Sequence, residues 1–280
     1  MKVGIIGLGL MGGSFALALK KRFKEKDEKL EVIGLDNNDQ HSIEALELKI
    51  VDKITDDIND LLNLDLIVLA IPVDAILDIL PKLKDASKDT TIIDFGSTKE
   101  KIVKAIPKTI RENFVASHPM TGTEKCGPSA ATRKLYRGKV VVLCDTQDNS
   151  PKHLKFAKDI YKEIGMKIFY MDAKEHDIHA AYISHMPHAI SYALANSVMK
   201  QENPKAILAL AGGGFKDMSR IAKSSPSMWI DIFKQNKKNL LTSIEHFKEE
   251  LAYIEDYIKN EDWDSAREWI LRANRLHDIL

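Results

Sequence analysis

The sequence is poor in the features that mark the simplest functional classes. Only two of its 280 residues are cysteines, Cys126 and Cys144. Two cannot form a disulfide framework, and no Cys/His quartet has zinc-finger spacing. Charge of one sign is lacking too: 41 Lys and Arg meet 41 Asp and Glu. Without a cationic excess to displace counterions from phosphates, nucleic acid is not an expected partner. Apolar runs are short. Leu66–Val73, among the longest, falls far below the ~20 residues a membrane helix takes, so no membrane association is expected. The N-terminal run Met1–Ile6 breaks into glycines too early for a signal peptide. What remains, 44% hydrophobic and 29% charged, is the composition of a folded protein with one large or two modest domains. A reducing, cytoplasmic setting fits it.

The apolar runs are ordered. Lys2–Ile6 ends in Gly7 and is followed by a helical pattern through Phe15, Leu17 and Leu19. Val32–Leu35, Leu66–Ile71, Thr90–Phe95, Phe114–Ser117 and Val140–Cys144 repeat the strand-like pattern. Short unalternated runs between helical stretches are what strands buried on both faces look like. The expected class is therefore α/β, with an N-terminal Rossmann-type parallel-sheet domain over residues 1–172. From Ala173 the strand-like runs stop. His176–Met199 and the series Leu240, Leu241, Ile244, Phe247, Leu251, Ile254 and Ile258 have helical spacing. Residues 173–280 are expected to form an all-helical domain punctuated by Pro204, Gly212–Gly214 and Pro226: a helix pair, a glycine-rich connection and a C-terminal hairpin. An apolar stripe on such helices fills either an intramolecular core or a dimer interface.

Gly7-Leu8-Gly9-Leu10-Met11-Gly12 has the spacing G-x-G-x-x-G. The first glycine allows the tight turn, the second lets a pyrophosphate approach the backbone, and the third packs helix on strand. The helix N-terminus then faces the negative charge. Asp36 follows at the end of the next strand, where a carboxylate accepts hydrogen bonds from a ribose 2′-hydroxyl and repels a 2′-phosphate. Asn37 and Asn38 come next, with no arginine for such a phosphate, so NAD is expected over NADP. A flavin is less suited, since the helical half leaves little room for a flavin domain.

Three further segments carry polar residues that no core requires: Asp94–Lys99, Ser117–Pro128 and Gly212–Trp229. The first two lie just past strand ends, where open α/β sheets bind ligands. His118, at such an edge, has the ordinary pKa of about 6.5 that suits a proton acceptor near neutrality. Asp217 and Arg220, three apart, would share a helical face, as would His185 and His188, with Pro187 near the first turn.

At these residues the sequence resembles the prephenate dehydrogenase family, which includes arogenate and cyclohexadienyl dehydrogenases. The resemblance rests on Gly-Leu-Gly-Leu-Met-Gly-Gly-Ser at 7–14, Asp-Phe-Gly-Ser-Thr-Lys at 94–99, His-Pro-Met-Thr-Gly-Thr-Glu at 118–124, Ser-His-Met-Pro-His-Ala at 184–189 and Gly-Gly-Gly-Phe-Lys-Asp-Met-Ser-Arg-Ile-Ala at 212–222. It implies NAD-dependent oxidative decarboxylation of prephenate to 4-hydroxyphenylpyruvate, in tyrosine biosynthesis, by a homodimer joined through the helical domain. It implies that His118 hydrogen-bonds the substrate's 4-hydroxyl and that Ser97 orients His118 beside the nicotinamide. Arg220 would bind the ring carboxylate, with Asp217 holding it in place. His188 would contact the pyruvyl side chain with His185 close by, Thr123 would bind substrate, and Glu124 would lie near the pocket entrance in a gating or electrostatic role. Thr121 stands where the family more often has alanine.

No metal is expected. Zinc sites usually recruit ligands from more than one element, and this chemistry needs no Lewis acid. His176 and His179 read as solvated helix residues, and Trp229 and Met228 as either a pocket wall or core. The chain ends soon after the hairpin and begins at the Rossmann strand, so neither a C-terminal regulatory domain nor a fused N-terminal mutase is expected. Competing readings are an arogenate or dual-specificity cyclohexadienyl dehydrogenase, a β-hydroxyacid dehydrogenase, and an NAD-sensing protein without turnover.

Overall fold

The structure, a computed structural model, describes every residue except Glu124 and Leu280. Its first half is built on strands β1 (Lys2–Ile6), β2 (Glu31–Leu35), β3 (Lys53–Ile54), β4 (Leu66–Leu69), β5 (Thr91–Asp94) and β6 (Phe114–Val115). They pair in the order β3-β2-β1-β4-β5-β6, and every pair is parallel. All residues of β4 and β5 are buried, which explains their unalternated sequences: a sheet covered on both faces has no solvent side to mark. Helices α1 (Leu10–Glu25), α2 (Asp39–Glu47), α3 (Val73–Ile79) and α4 (Glu100–Ala105) belong to the crossovers. The order reverses between β1 and β4, the kind of switch point where such sheets take ligands.

The apolar run from Phe114 to Ser117 is not one strand. β6 stops at Val115, and β7 (Ser117–Pro119) joins a separate sheet with β8 (Val140–Cys144) and, after α5 (Pro151–Glu163), β9 (Lys167–Met171). β7 runs antiparallel to β8. This break moves His118 off the large sheet while keeping it at the carboxyl edge of β5 and β6. Above that edge Phe15 of α1 meets Phe95, Tyr136 and Tyr161 edge-on, with centroids 5.2, 5.9 and 6.4 Å away. Each such pair adds about 0.5–1.5 kcal/mol beyond area burial, so α1 is pinned where the glycine turn delivers it.

From Ala173 onward every element is helical: α6 (Ala173–Ala180), α7 (Met186–Met199), α8 (Pro204–Ala209), α9 (Gly213–Ser219), α10 (Pro226–Gln235), α11 (Lys237–Lys259) and α12 (Trp263–Asn274). A π-helical turn at Ala181–His185 joins α6 to α7; Pro187, having no N–H, cannot continue the regular ladder there. The triple glycine is only partly a connection, since Gly212 caps α9 and Gly213 and Gly214 lie inside it. The two halves meet where Asp231 of α10 accepts the Val73 backbone N–H at 2.8 Å, capping α3 from across the junction.

Candidate active site

Gly7 has φ +95°, and a Cβ there would stand 2.4 Å from the Ala70 carbonyl oxygen, so only glycine fits the turn. Nothing lies within 4 Å of a Cβ built on Gly9. That open cradle faces the start of α1, which Gly9 caps without a side chain, leaving backbone amides for an anionic group. Leu8 is buried, and Leu10 and Met11 pack against the core, so these three offer backbone rather than side chain. Beyond β2, Asp36 accepts the Leu8 N–H at 2.7 Å and the Asn38 N–H at 2.9 Å, which fixes its carboxylate beside the turn. His41 stands 3.6 Å from Asp36, a neighbour that sequence reading did not single out.

Farther along the carboxyl edge, Lys99 and Asp94 form an ion pair with both side chains fully buried. The Lys99 ammonium also donates to the Ser117 carbonyl at 2.8 Å. Asp94 accepts the Ser117 N–H at 3.0 Å, and the Ser117 hydroxyl donates to the Asp94 carbonyl at 2.7 Å. Three bonds to Ser117, backed by the Lys99–Asp94 pair, thus clamp β7 to β5 at the residue before His118. A buried pair of charges survives only when its remaining hydrogen-bonding capacity is met, and here the backbone around Ser117 meets it.

His118 Nδ1 lies 2.9 Å from Nε2 of His176, and His176 Nδ1 lies 2.9 Å from Asp177 Oδ1. Burial, then the neighbouring His176, Lys99 and His185, hold His118 well below the ordinary histidine value, so the imidazole is neutral at pH 7 and can accept a proton. Two expectations change. His176 is not solvated: it is 2% exposed, because α6 turns it inward onto β7, whereas His179, at the edge of that face, is exposed. Ser97, half-buried beyond β5, makes no hydrogen bond to His118 among the described residues; the ring nitrogen available for orienting His118 is occupied by His176.

The helical half adds a second cluster. His188 stacks on Trp229 with centroids 3.6 Å apart, and its Nδ1 donates to the Ser184 carbonyl at 2.8 Å. Burial and the Arg220 charge lower its pKa, against the opposing Ser184 bond. His185 is 1% exposed and its Nδ1 meets Asn236 at 3.1 Å. It offers a substrate no surface and instead backs the cluster, pushed down to about 4 chiefly by burial. Arg220 begins a 3-10 turn after α9. The expected Asp217–Arg220 pair is not formed among the described residues: the helix changes pitch between them, and both side chains are exposed. Thr123 is exposed and accepts the Lys125 N–H; Glu124 lies outside the described residues. Trp229 is 5% exposed, and its indole nitrogen lacks a partner among the described residues.

A doubly wound sheet with a glycine turn at its switch point, and a neutral, half-buried histidine along the same edge, define a nucleotide-dependent dehydrogenase. Residues 15–170 match the family described as prephenate dehydrogenase, nucleotide-binding domain, and residues 172–272 its dimerization domain. The chain belongs to the prephenate dehydrogenase family. It is 32% identical over 282 residues to prephenate dehydrogenase of Bacillus subtilis, covering 99% of this chain and 75% of that protein. It is 33% identical over 267 residues to cyclohexadienyl dehydrogenase of Zymomonas mobilis, covering 94% and 90%. The crystal structure of prephenate dehydrogenase from A. aeolicus, in complex with hydroxyphenyl propionate and NAD+, superposes with TM-score 0.90 at 35% identity, covering 99% and 98%.

Proposed function

We propose that this chain oxidises prephenate to 4-hydroxyphenylpyruvate with loss of carbon dioxide, using NAD, in tyrosine biosynthesis. The observation that carries the reading is His118: half-buried, neutral, and without a partner at Nε2 among the described residues. The open space over Gly9 and the fixed Asp36 carboxylate suit the pyrophosphate and adenosine ribose of NAD, which supplies the hydride acceptor when bound. His118 Nε2 takes the proton of the 4-hydroxyl as hydride leaves C4, a base role typically worth about 10²- to 10⁴-fold. The C1–carboxylate bond then breaks, and its electron pair restores the aromatic ring. Arg220 holds the ring carboxylate, for which a guanidinium fork is better shaped than an ammonium. His188 leaves Nε2 for the pyruvyl end. Thr123 contacts the substrate.

In this reading residues 1–172 hold the cofactor and residues 173–280 the substrate contacts and a homodimer interface, in the cytoplasm. Support for the dimer is the apolar surface of the helical half, where Leu210 is 87% and Trp263 61% exposed, together with the matched dimerization domain. No helix among the described residues is long and apolar enough to cross a membrane. Light scattering should give twice the 31.5 kDa chain mass; a monomer at assay concentration would remove the dimer.

The second reading, an arogenate or dual-specificity enzyme, is favoured by the similarity to the Zymomonas cyclohexadienyl dehydrogenase. NADH formation with prephenate and with arogenate, each compared with NADP, separates the two. Prephenate should react, and His118→Asn should lower kcat at least ~10²-fold with KM changed far less. Reduction with arogenate alone moves the substrate to the second reading, and silence with both overturns the enzymatic assignment.

A further inference from the structure

The direction of each hydrogen bond below His118 can be read from groups whose roles are fixed. Backbone amides only donate. Asp177 Oδ1 accepts the Lys99 N–H at 2.7 Å, and Oδ2 accepts the Glu100 N–H at 3.0 Å, so both carboxylate oxygens are acceptors. His176 Nδ1, 2.9 Å from Oδ1, must therefore donate. A neutral imidazole carries one N–H, so His176 Nε2 is bare and accepts. His118 Nδ1, 2.9 Å away, must then donate in its turn, and the lone pair of His118 is left at Nε2.

We propose that His176 and Asp177 are positioning residues that hold His118 in its Nδ1–H tautomer, with Nε2 free to take the substrate proton. The inference rests on the reading of His118 as the base. It follows the logic by which an acceptor behind a catalytic histidine fixes its tautomer and steadies the imidazolium that forms. A cationic His176 would reverse the second bond and put the proton on His118 Nε2, so the base works only above a neutral His176. Asp177 is well placed for this task because it is itself held from both halves of the molecule. Its side chain takes the first amides of α4, and its carbonyl accepts from the Asn236 side chain at 2.6 Å.

The test uses the full chain with histidine rings labelled with ¹⁵N and ¹³C. His118 is assigned by the signal lost in His118→Asn, and tautomers are read at pH 8. The unsubstituted protein should show His118 as Nδ1–H. His176→Phe, which keeps a ring but removes the acceptor, should shift His118 toward Nε2–H and lower kcat by about 10- to 100-fold, the usual cost of losing an orienting partner. The KM for prephenate should stay nearly constant. His176→Gln, whose amide oxygen can accept, should recover part of both signals. An Nε2–H His118 in the unsubstituted protein overturns the proposal, even if His176→Phe does not fold. So does a folded His176→Phe with tautomer and kcat unchanged. If His118→Asn itself keeps its kcat, it is the base reading that fails; if it loses kcat while the His176 variants do not, only the positioning role fails.

Discussion

The region around His118 and the region around Arg220 place their charged groups in opposite ways. Around His118 they go inside and are matched: Lys99, Asp94 and Ser117 are fully buried and satisfy one another. In the helical half the charged Asp217 and Arg220 stay outside, while large apolar side chains such as Leu210, Trp263 and Leu276 remain 87%, 61% and 57% exposed. The difference separates two tasks. A base must be held within a fraction of an ångström, and rigid, fully paired elements do that best. A surface that receives a substrate, and in our reading a second subunit, keeps its contacts open until they arrive.

If that contrast is right, breaking a polar pair in the first half should cost far more than removing a charge in the second. Lys99→Met leaves Asp94 as an uncompensated buried carboxylate, and should lower stability by about 3–5 kcal/mol and disorder Ser117 and His118 with it. Urea unfolding measures this, and a loss under about 1 kcal/mol would mean that the pair does not clamp β7. The next effect is smaller and depends on pH. Burial pushes His185 down to about 4 in the folded chain from an ordinary value near 6.5. Between those values the unfolded chain binds a proton that the folded chain refuses. The stability is therefore complete above pH 6.5 and declines as pH falls toward 4, by on the order of 3 kcal/mol for this group. His185→Gln should lose markedly less stability than the unsubstituted protein between pH 7 and pH 4.5; equal losses would put the acid sensitivity elsewhere.

How much of this was legible in the sequence follows the same divide. The glycine turn, the buried strands and Asp36 were readable because local rules govern them: a positive φ, a close backbone approach, a two-sided sheet. The separation of β6 from β7 was not, since Phe114–Ser117 is one apolar run and only tertiary pairing divides it. β9 was hidden because two of its aromatic residues, Phe169 and Tyr170, stay exposed. His176 and Asp177 were missed for a related reason. They lie 58 residues or more beyond His118 in the chain, on a helix whose sequence does not show which face turns inward. A His-Asp dipeptide on a short helix just after the last strand was the only local signal. The pairing of Asp217 with Arg220 failed in the other direction: i,i+3 spacing implies a shared face only while the helix keeps its pitch, and here α9 gives way to a 3-10 turn.

The smallest effect expected on the fold sharpens the contrast furthest. Arg220 is exposed and unpaired among the described residues, so Arg220→Gln should change stability by no more than about 0.5 kcal/mol. Its work appears only with substrate. A charge-assisted bond to a carboxylate is worth about 1.5–3 kcal/mol, which converts to a rise in prephenate KM of roughly 10- to 150-fold, with kcat affected less if the bond is equally strong before and during reaction. Asp217→Asn is the companion measurement. Because Asp217 does not hold Arg220 in this structure, that variant should leave KM nearly unchanged. A KM that rises as steeply in Asp217→Asn as in Arg220→Gln would mean that substrate draws the two together, and that this part of the helical half reorders on binding while the Rossmann half does not.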